Sequence, residues 1–206
     1  MSTFGAILLA GGRASRLDGA AKPLIEVGGV TLLDRAIAAV TDARAAPIVV
    51  VGPRPEACAL DVAVEWVRED PPFGGPAAAV VAGLVADRTG GTDPEWTFVL
   101  ACDLPRADAV VARLVADIPL LPAETDGICL ADPSGRPQWL SAAYRTGSLR
   151  SAASALPDHG RDAPVRVLLD DLAIAVITVD AEIVEDVDTW DDLNRARARA
   201  LSEEDE

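Results

Sequence analysis

The residues able to do chemistry are concentrated in a few short segments. The first is Leu9-Ala10-Gly11-Gly12, which runs on through Arg13 and Arg16 to Lys22. Adjacent glycines let backbone N–H groups approach an anion, and the basic residues add positive charge, so the segment suits a phosphate-bearing ligand. It has neither the G-x-G-x-x-G spacing of a dinucleotide-binding turn nor the Gly-Lys-Ser/Thr of a P-loop. On its glycines alone it reads as well as a turn with a solvated basic flank. Lys22 weighs the other way. It is the only lysine among 18 basic residues, which suggests a position needing a compact ammonium and not a guanidinium fork.

The second segment is Cys102-Asp103-Leu104-Pro105, where an apolar run ends in an aspartate. Asp103 suits a hard cation that travels with phosphates, and it suits equally the cap of a helix starting near Ala107. The third, Val184-Glu185-Asp186-Val187-Asp188-Thr189, sets two alternating acids just before a helix. Capping accounts for Asp188 or Thr189 but not for Asp186. Glu69-Asp70-Pro71-Pro72-Phe73-Gly74-Gly75-Pro76 reads alone as a rigid turn and helix start, and Gly135-Arg136-Pro137-Gln138-Trp139 as a polar turn feeding a strand. His159 is the only histidine and sits in a polar stretch. Cys58, Cys102 and Cys129 are scattered with no C-x-x-C spacing, which indicates neither a zinc site nor a disulfide framework. A reaction that needs no side-chain base is favoured.

The elements that must hold these segments alternate between short apolar runs and longer helical stretches, the pattern of an α/β domain with a mainly parallel sheet. Strands are expected over 4–10, 47–52, 62–67, 96–101, 127–130, 139–144 and 173–179. Helices are expected over 31–43, 75–87, 107–117, 147–156, 164–171 and from about 189 to 201. Several strands are apolar at nearly every position, as strands covered on both faces are. The glycine, Cys-Asp and Glu-Asp segments all follow strands, so they share the carboxyl rim where open α/β sheets bind ligands. Nothing resembles a linker. One domain over 1–201 is expected, followed by an acidic tail over 202–206.

Composition narrows the function. A net charge of −15 over 206 residues argues against nucleic acid and against an anionic membrane surface, since both call for a basic face. A hydrophobic fraction of 50% excludes a disordered chain. The start of the chain lacks the basic flank of a signal peptide, and no run approaches the ~18 apolar residues of a membrane span. A cytoplasmic protein, monomeric by expectation, fits these features.

Taken in order, Leu-Ala-Gly-Gly…Arg…Lys, Glu-Asp…Gly-Gly-Pro, Cys-Asp-Leu-Pro, Pro-Gln-Trp-Leu…Tyr and Asp-Val-Asp-Thr-Trp-Asp-Asp-Leu resemble the molybdenum cofactor guanylyltransferases. These belong to a wider nucleotidyltransferase superfamily with a Rossmann-like fold, helices covering both faces of the sheet. The resemblance runs from Ala6 to about Leu193. It implies that Leu9, Ala10 and Gly11, with Gly12 beside them, hold a guanine nucleotide mainly by backbone. It also implies that Lys22 meets the phosphates, Gly52 flanks the base, and Asp70 meets the nucleotide. Asp103 would bind Mg²⁺, and Asp186 would offer a second metal contact. Two positions depart from the pattern: Leu17 stands where the family usually has Met, and Ala21 where it usually has Asp immediately before the lysine.

The reaction implied is transfer of GMP from GTP to the terminal phosphate of molybdopterin or Mo-molybdopterin. A phosphate monoester with a second pKa near ~6 is already a dianionic nucleophile at neutral pH. The protein then supplies alignment and charge neutralisation, through Mg²⁺ on Asp103, Lys22 and Arg16. Arg136, Arg161 and Arg166 could form a patch for the pterin phosphate. The alternatives are a molybdopterin cytidylyltransferase, a phospholactate guanylyltransferase, or a non-catalytic nucleotide-binding protein of the same fold. The Leu-Ala-Gly-Gly start favours guanine, because cytidylyl relatives tend to carry Ala-Ala-Gly there.

Overall fold

The most apolar run near the N-terminus forms β1 (Phe4–Leu9), whose side chains point alternately into two cores. Ala6 and Leu8 pack on one side of the sheet, Ile7 and Leu9 on the other. Burial on both faces is what an uninterrupted apolar strand requires, and it makes β1 a central strand. The computed structural model describes residues 2–11, 21–55, 62–86 and 93–204. Gly12, Arg16 and Cys58, singled out above, lie outside the described residues.

β1 pairs in parallel with β4 (Ile48–Val51) and with β6 (Trp96–Ala101). The sheet has seven strands in the order β5 (Glu65–Val67), β4, β1, β6, β8 (Pro137–Arg145), β7 (Gly127–Ala131), β9 (Ile174–Thr178). Only β8 runs antiparallel to its neighbours β6 and β7. Helices α1 (Leu32–Asp42) and α3 (Ala107–Asp117) cover the face built on Leu8, Val50, Phe98 and Leu100. Helices α2 (Pro76–Ala86), α4 (Thr146–Ala155) and α5 (Val165–Leu169) cover the face built on Ile7, Val49, Val99 and Tyr144. This is the expected α/β architecture with a mostly parallel central sheet. Tyr144 is a core residue, its hydroxyl donating to the Trp139 carbonyl at 2.9 Å.

A third, smaller core lies outside the main sheet. Val27, Leu32, Val187, Leu193 and Ala196 pack together and join the N-terminal third of the chain to its last helix, α7 (Trp190–Glu204). Val27 sits in a short hairpin of β2 (Glu26–Val27) and β3 (Val30–Thr31), turned by Gly28 and Gly29 with φ of 57° and 72°. Two successive positive-φ residues are the requirement of a tight hairpin turn that follows the strand twist, and glycine meets it without strain. The short helix α6 (Ala181–Val184) leads into the acidic segment before α7. Among the described residues no helix is long and apolar enough to cross a membrane.

Candidate active site

β1 and β6 leave the sheet side by side, with Leu9 paired to Ala101. Beyond them the ladder is extended by single hydrogen bonds: Cys102 N–H donates to Leu9 O at 3.1 Å, and Ala10 N–H to Val51 O at 2.9 Å. The glycine segment and Asp103 therefore emerge at one rim. Gly52, at the end of β4, backs this rim. A Cβ there would lie 2.8 Å from the Ala10 carbonyl carbon and 3.1 Å from Gly11 N, so only glycine lets the two backbones pass this closely. Gly11 is different. Among the described residues a Cβ on it would meet only Val51 O, at 3.8 Å.

The acidic segment docks onto the same rim. Val187 N–H donates to Asp103 O at 3.0 Å, and the Val187 side chain buries in the small third core. The alternation that sends Val187 inward sends Asp186 and Asp188 to the side of Asp103. Each of the three carboxylates has an oxygen within 4.8 Å of the others'. Lys22 closes the group from a single 3-10 turn, Lys22–Leu24. Its ammonium donates to Asp188 Oδ1 and stands 3.8 Å from Asp103 Oδ2. Asp103 does not cap α3, whose cap residue is Arg106.

Among the described residues charge is unbalanced here: three carboxylates face one ammonium. Burial, and next the charge of Asp186, push the Asp103 carboxyl up to about 6, with Lys22 pulling the other way. Asp186 is raised as well, by burial and then by Asp188. Asp103 Oδ1 is buried and has no hydrogen-bond partner. A buried carboxylate oxygen lacking a partner, beside two more carboxylates, fits a hard oxygen-ligated divalent cation. Cys102 is buried, its thiol pushed far up by that burial, so it is a core residue and not a nucleophile.

Next to this cluster opens a cavity of about 320 Å³. Leu9, Gly11, Val51, Pro76, Leu140 and Asp103 line it. Of the acids in the Glu-Asp turn, Glu69 lines both this cavity and a larger groove beside it. Asp70 is exposed and lines that groove, with Arg68, His159 and Arg161. Leu9, Gly11, Lys22, Asp103, Asp186 and Asp188 are thus brought together, Ala10 and Gly52 support them from behind, and Asp70 stands apart. The three arginines of the suggested phosphate patch sit on separate features. Arg161 is in the groove, Arg166 is ion-paired to Asp170 at 3.5 Å, and Arg136 is in the turn between β7 and β8. Sequence reasoning passed over Glu69, Phe73 and Leu140, whose only signal was membership of turns and strands already placed at the rim.

The model of the MobA-like NTP transferase domain matches residues 6–175. The chain belongs to this family. A molybdenum cofactor guanylyltransferase from Pseudomonas fluorescens is 38% identical over 116 residues, covering 54% of this chain and 52% of that protein. The chain spans about half the length of the curated relatives it matches. Among solved structures, a nucleotidyl transferase from Methanothermobacter thermautotroptrophicus superposes with a TM-score of 0.71 at 22% identity, covering 98% of this chain and 99% of that one. A Mycobacterium tuberculosis protein solved as a complex with manganese superposes with a TM-score of 0.63 at 21% identity, over 96% of this chain and 98% of that one. The NTP transferase fold thus accounts for the arrangement in which cavity and charged cluster share the sheet's carboxyl rim.

Proposed function

We propose that the chain is a molybdenum cofactor guanylyltransferase, transferring GMP from GTP to the terminal phosphate of molybdopterin or Mo-molybdopterin. The observation that carries this reading is that Asp103, which lines a mostly apolar cavity of about 320 Å³, is grouped with Lys22 and two further carboxylates. Its support from kinship is the family membership and relatives named for this activity.

The nucleoside would occupy the cavity, with its phosphates toward Asp103. Asp103 and Asp186, with Asp188 beside them, would hold Mg²⁺, which supplies neutralisation of triphosphate charge. Asp188 holds the Lys22 ammonium in place before any phosphate arrives, so its charge is preorganised for the transfer. An acceptor phosphate oxygen bonds to the α-phosphorus of GTP as the bond from that phosphorus to the bridging oxygen of the leaving group breaks. Pyrophosphate departs with the electron pair. The acceptor dianion needs no proton removed, so the cluster of Lys22, Asp103, Asp186 and Asp188 would act by alignment and charge and not as a base. Exposed Arg161 in the neighbouring groove is available to an anionic acceptor.

The test is a panel of the four ribonucleoside triphosphates against molybdopterin and phospholactate, scored by pyrophosphate release. Release with GTP and molybdopterin is expected. Release with CTP in its place makes the chain a cytidylyltransferase, release with phospholactate changes the acceptor, and no release with any pair leaves a nucleotide-binding protein without turnover.

A further inference from the structure

Asp186 and Asp188 lie on an irregular stretch between α6 and α7, yet they stay beside Asp103 with no cation to draw them in. Like charges this close repel, so the stretch must be held by its other residues. Val184 and Val187 are buried, and Val187 N–H donates to Asp103 O at 3.0 Å. The remaining grip comes from α7. Just before Asp186, Glu185 Oε1 accepts from Arg195 Nη2 at 2.7 Å and Nε at 3.2 Å, and its Oε2 accepts from Arg199 Nη1 at 2.7 Å. On the other side, Asp188 N–H donates to Asp192 Oδ2 at 3.0 Å, and Asp192 Oδ1 accepts from Arg195 Nη2 at 2.6 Å. Arg195 thus joins the residue before Asp186 to the residue that holds Asp188.

We propose that Arg195 is a positioning residue of the cation site, keeping Asp186 and Asp188 beside Asp103 through Glu185 and Asp192. The inference rests on the reading above that these three carboxylates hold a divalent cation. Arg195 is half-exposed, and ion pairs at that exposure contribute little to global stability. Its effect is local instead: ligands held in place before the cation arrives lose less freedom when they bind it. Hydrogen-bond partners directly behind metal ligands commonly alter metal affinity by about 10–100-fold. Arg195 acts one layer further back, which puts its loss at the low end of that range. The charge of Arg195 works in the opposite sense. A guanidinium near an acidic site opposes the binding of another cation, so if charge were its whole contribution, removing it would tighten the site. Positioning and charge therefore predict changes of opposite sign.

The test is Mn²⁺ affinity of the full chain without nucleotide, measured by electron paramagnetic resonance at neutral pH, with thermal melts on cation-free samples. Wild type is compared with Arg195→Ala, Arg195→Lys and Arg197→Ala. Arg197 is on the same helix, but its hydrogen bond runs to Glu26 O at 3.2 Å, so its variant removes the same charge from α7 and spares Glu185 and Asp192. Arg195→Ala should bind Mn²⁺ about tenfold more weakly while melting close to wild type. Arg195→Lys keeps the charge but not the two-nitrogen grip on Glu185, and should weaken binding by less. Arg197→Ala should bind as wild type does or slightly tighter. Wild-type or tighter binding in Arg195→Ala overturns the proposal and leaves the arginine a surface charge. Equal weakening in Arg197→Ala overturns it too, because the effect would then belong to α7 as a whole. If Arg195→Ala does not fold, Arg195→Lys decides, and wild-type affinity in that variant overturns the assignment. If wild type itself binds no Mn²⁺, the cation-site reading has failed, and the role of Arg195 falls with it.

Discussion

The Lys22 ammonium and the Asp188 carboxylate are 166 residues apart in the chain and hydrogen-bonded at the rim of the sheet. Ala21, just before the lysine, has no carboxylate to offer; Asp188 supplies one from the other end of the sequence. Asp188 is itself held in place. Its N–H donates to Asp192 Oδ2 at 3.0 Å, and Thr189 N–H and hydroxyl donate to the same oxygen at 2.7 and 2.8 Å. Asp192 N–H returns a bond to Thr189 Oγ1 at 3.2 Å, closing a capping box at the start of α7. The cap of the last helix therefore aims the carboxylate that aims the lysine.

Coupling of this kind has a measurable signature. Lys22→Ala should lower turnover by about 10², the scale of one preorganised charge in a transfer site. Asp188→Ala should also lower turnover, by acting through the lysine. The double variant should then be little worse than Lys22→Ala alone, the non-additivity of two groups that work as a unit. Pyrophosphate-release kinetics on the four proteins measure it, and simple additivity would assign Asp188 a separate task. Lys22→Arg is expected to be impaired as well, because a planar guanidinium does not fit a geometry built around a compact ammonium.

Divalent-cation binding should depend on pH in a defined window. The Asp103 carboxyl titrates at about 6, pushed up by burial and by Asp186, and a ligand must be deprotonated to bind metal. As pH falls through 6, protons compete with the cation and affinity should drop, approaching about tenfold per pH unit well below it. Above about pH 7 the affinity should level off. Mn²⁺ titrations followed by electron paramagnetic resonance at pH 5, 6 and 7.5 check this. A flat profile over that range would mean that Asp103 is not among the ligands.

Local patterns carried most of the fold. The strand at 96–101 and the helix at 107–117 fall where apolar runs and helical spacing put them, because each is long enough for its burial pattern to be unambiguous. The β2–β3 hairpin escaped notice. Its strands are two residues each, and it exists because Val27 packs on α7, a contact that no local window contains. The antiparallel sense of β8 was legible but unread: only five residues separate Ala131 from Pro137, too few for a crossover between parallel strands. At the site, the rim position of Asp103 and of the glycine segment follows from strand ends. That Glu69 reaches the cavity while Asp70 lines only the groove beside it does not, since it depends on how the turn at Phe73 folds. The pairing of Lys22 with Asp188 is tertiary. α7 also continues to Glu204, past the expected end near Leu201, since nothing in its last turn stops it.

Gly52 and Gly11 should respond differently to alanine. At Gly52 a Cβ would collide with the Ala10 carbonyl carbon at 2.8 Å, so Gly52→Ala must displace the Ala10–Gly11 backbone. Loss of stability, on the order of 1–3 kcal/mol for overpacking of this kind, should accompany loss of nucleotide affinity. Among the described residues Gly11→Ala meets only Val51 O, at 3.8 Å, and it should fold as wild type does. Because Gly11 lines the cavity, any loss in that variant is read on the ligand. We expect normal melting with weaker GTP binding, measured by thermal denaturation and calorimetry on the same preparations. Equal melting temperatures for the two variants would mean that the close approach at Gly52 is relieved at no cost.

Asp103→Asn separates the cation-binding role proposed for this residue from its structural cost. The folded state raises the carboxyl from its ordinary 3.8 to about 6, so between those values folded protein binds more protons than unfolded protein does. Stability from this group is therefore full at low pH and is lost as pH rises through the window, remaining low above about 6. Asparagine carries no such charge. Without divalent cation, the difference in melting temperature between variant and wild type should shift in favour of Asp103→Asn as pH goes from 4 to 7, then stay constant. Taking the difference cancels the opposite contributions of Asp126, Glu185 and Asp192, whose carboxyls are held below their usual range. Saturating Mg²⁺ should stabilise wild type and leave the variant unmoved, since binding to the native state alone raises its stability. The same variant should lose turnover by orders of magnitude. A variant as active as wild type, or one stabilised equally by Mg²⁺, would remove Asp103 from the cation site and leave its burial unexplained.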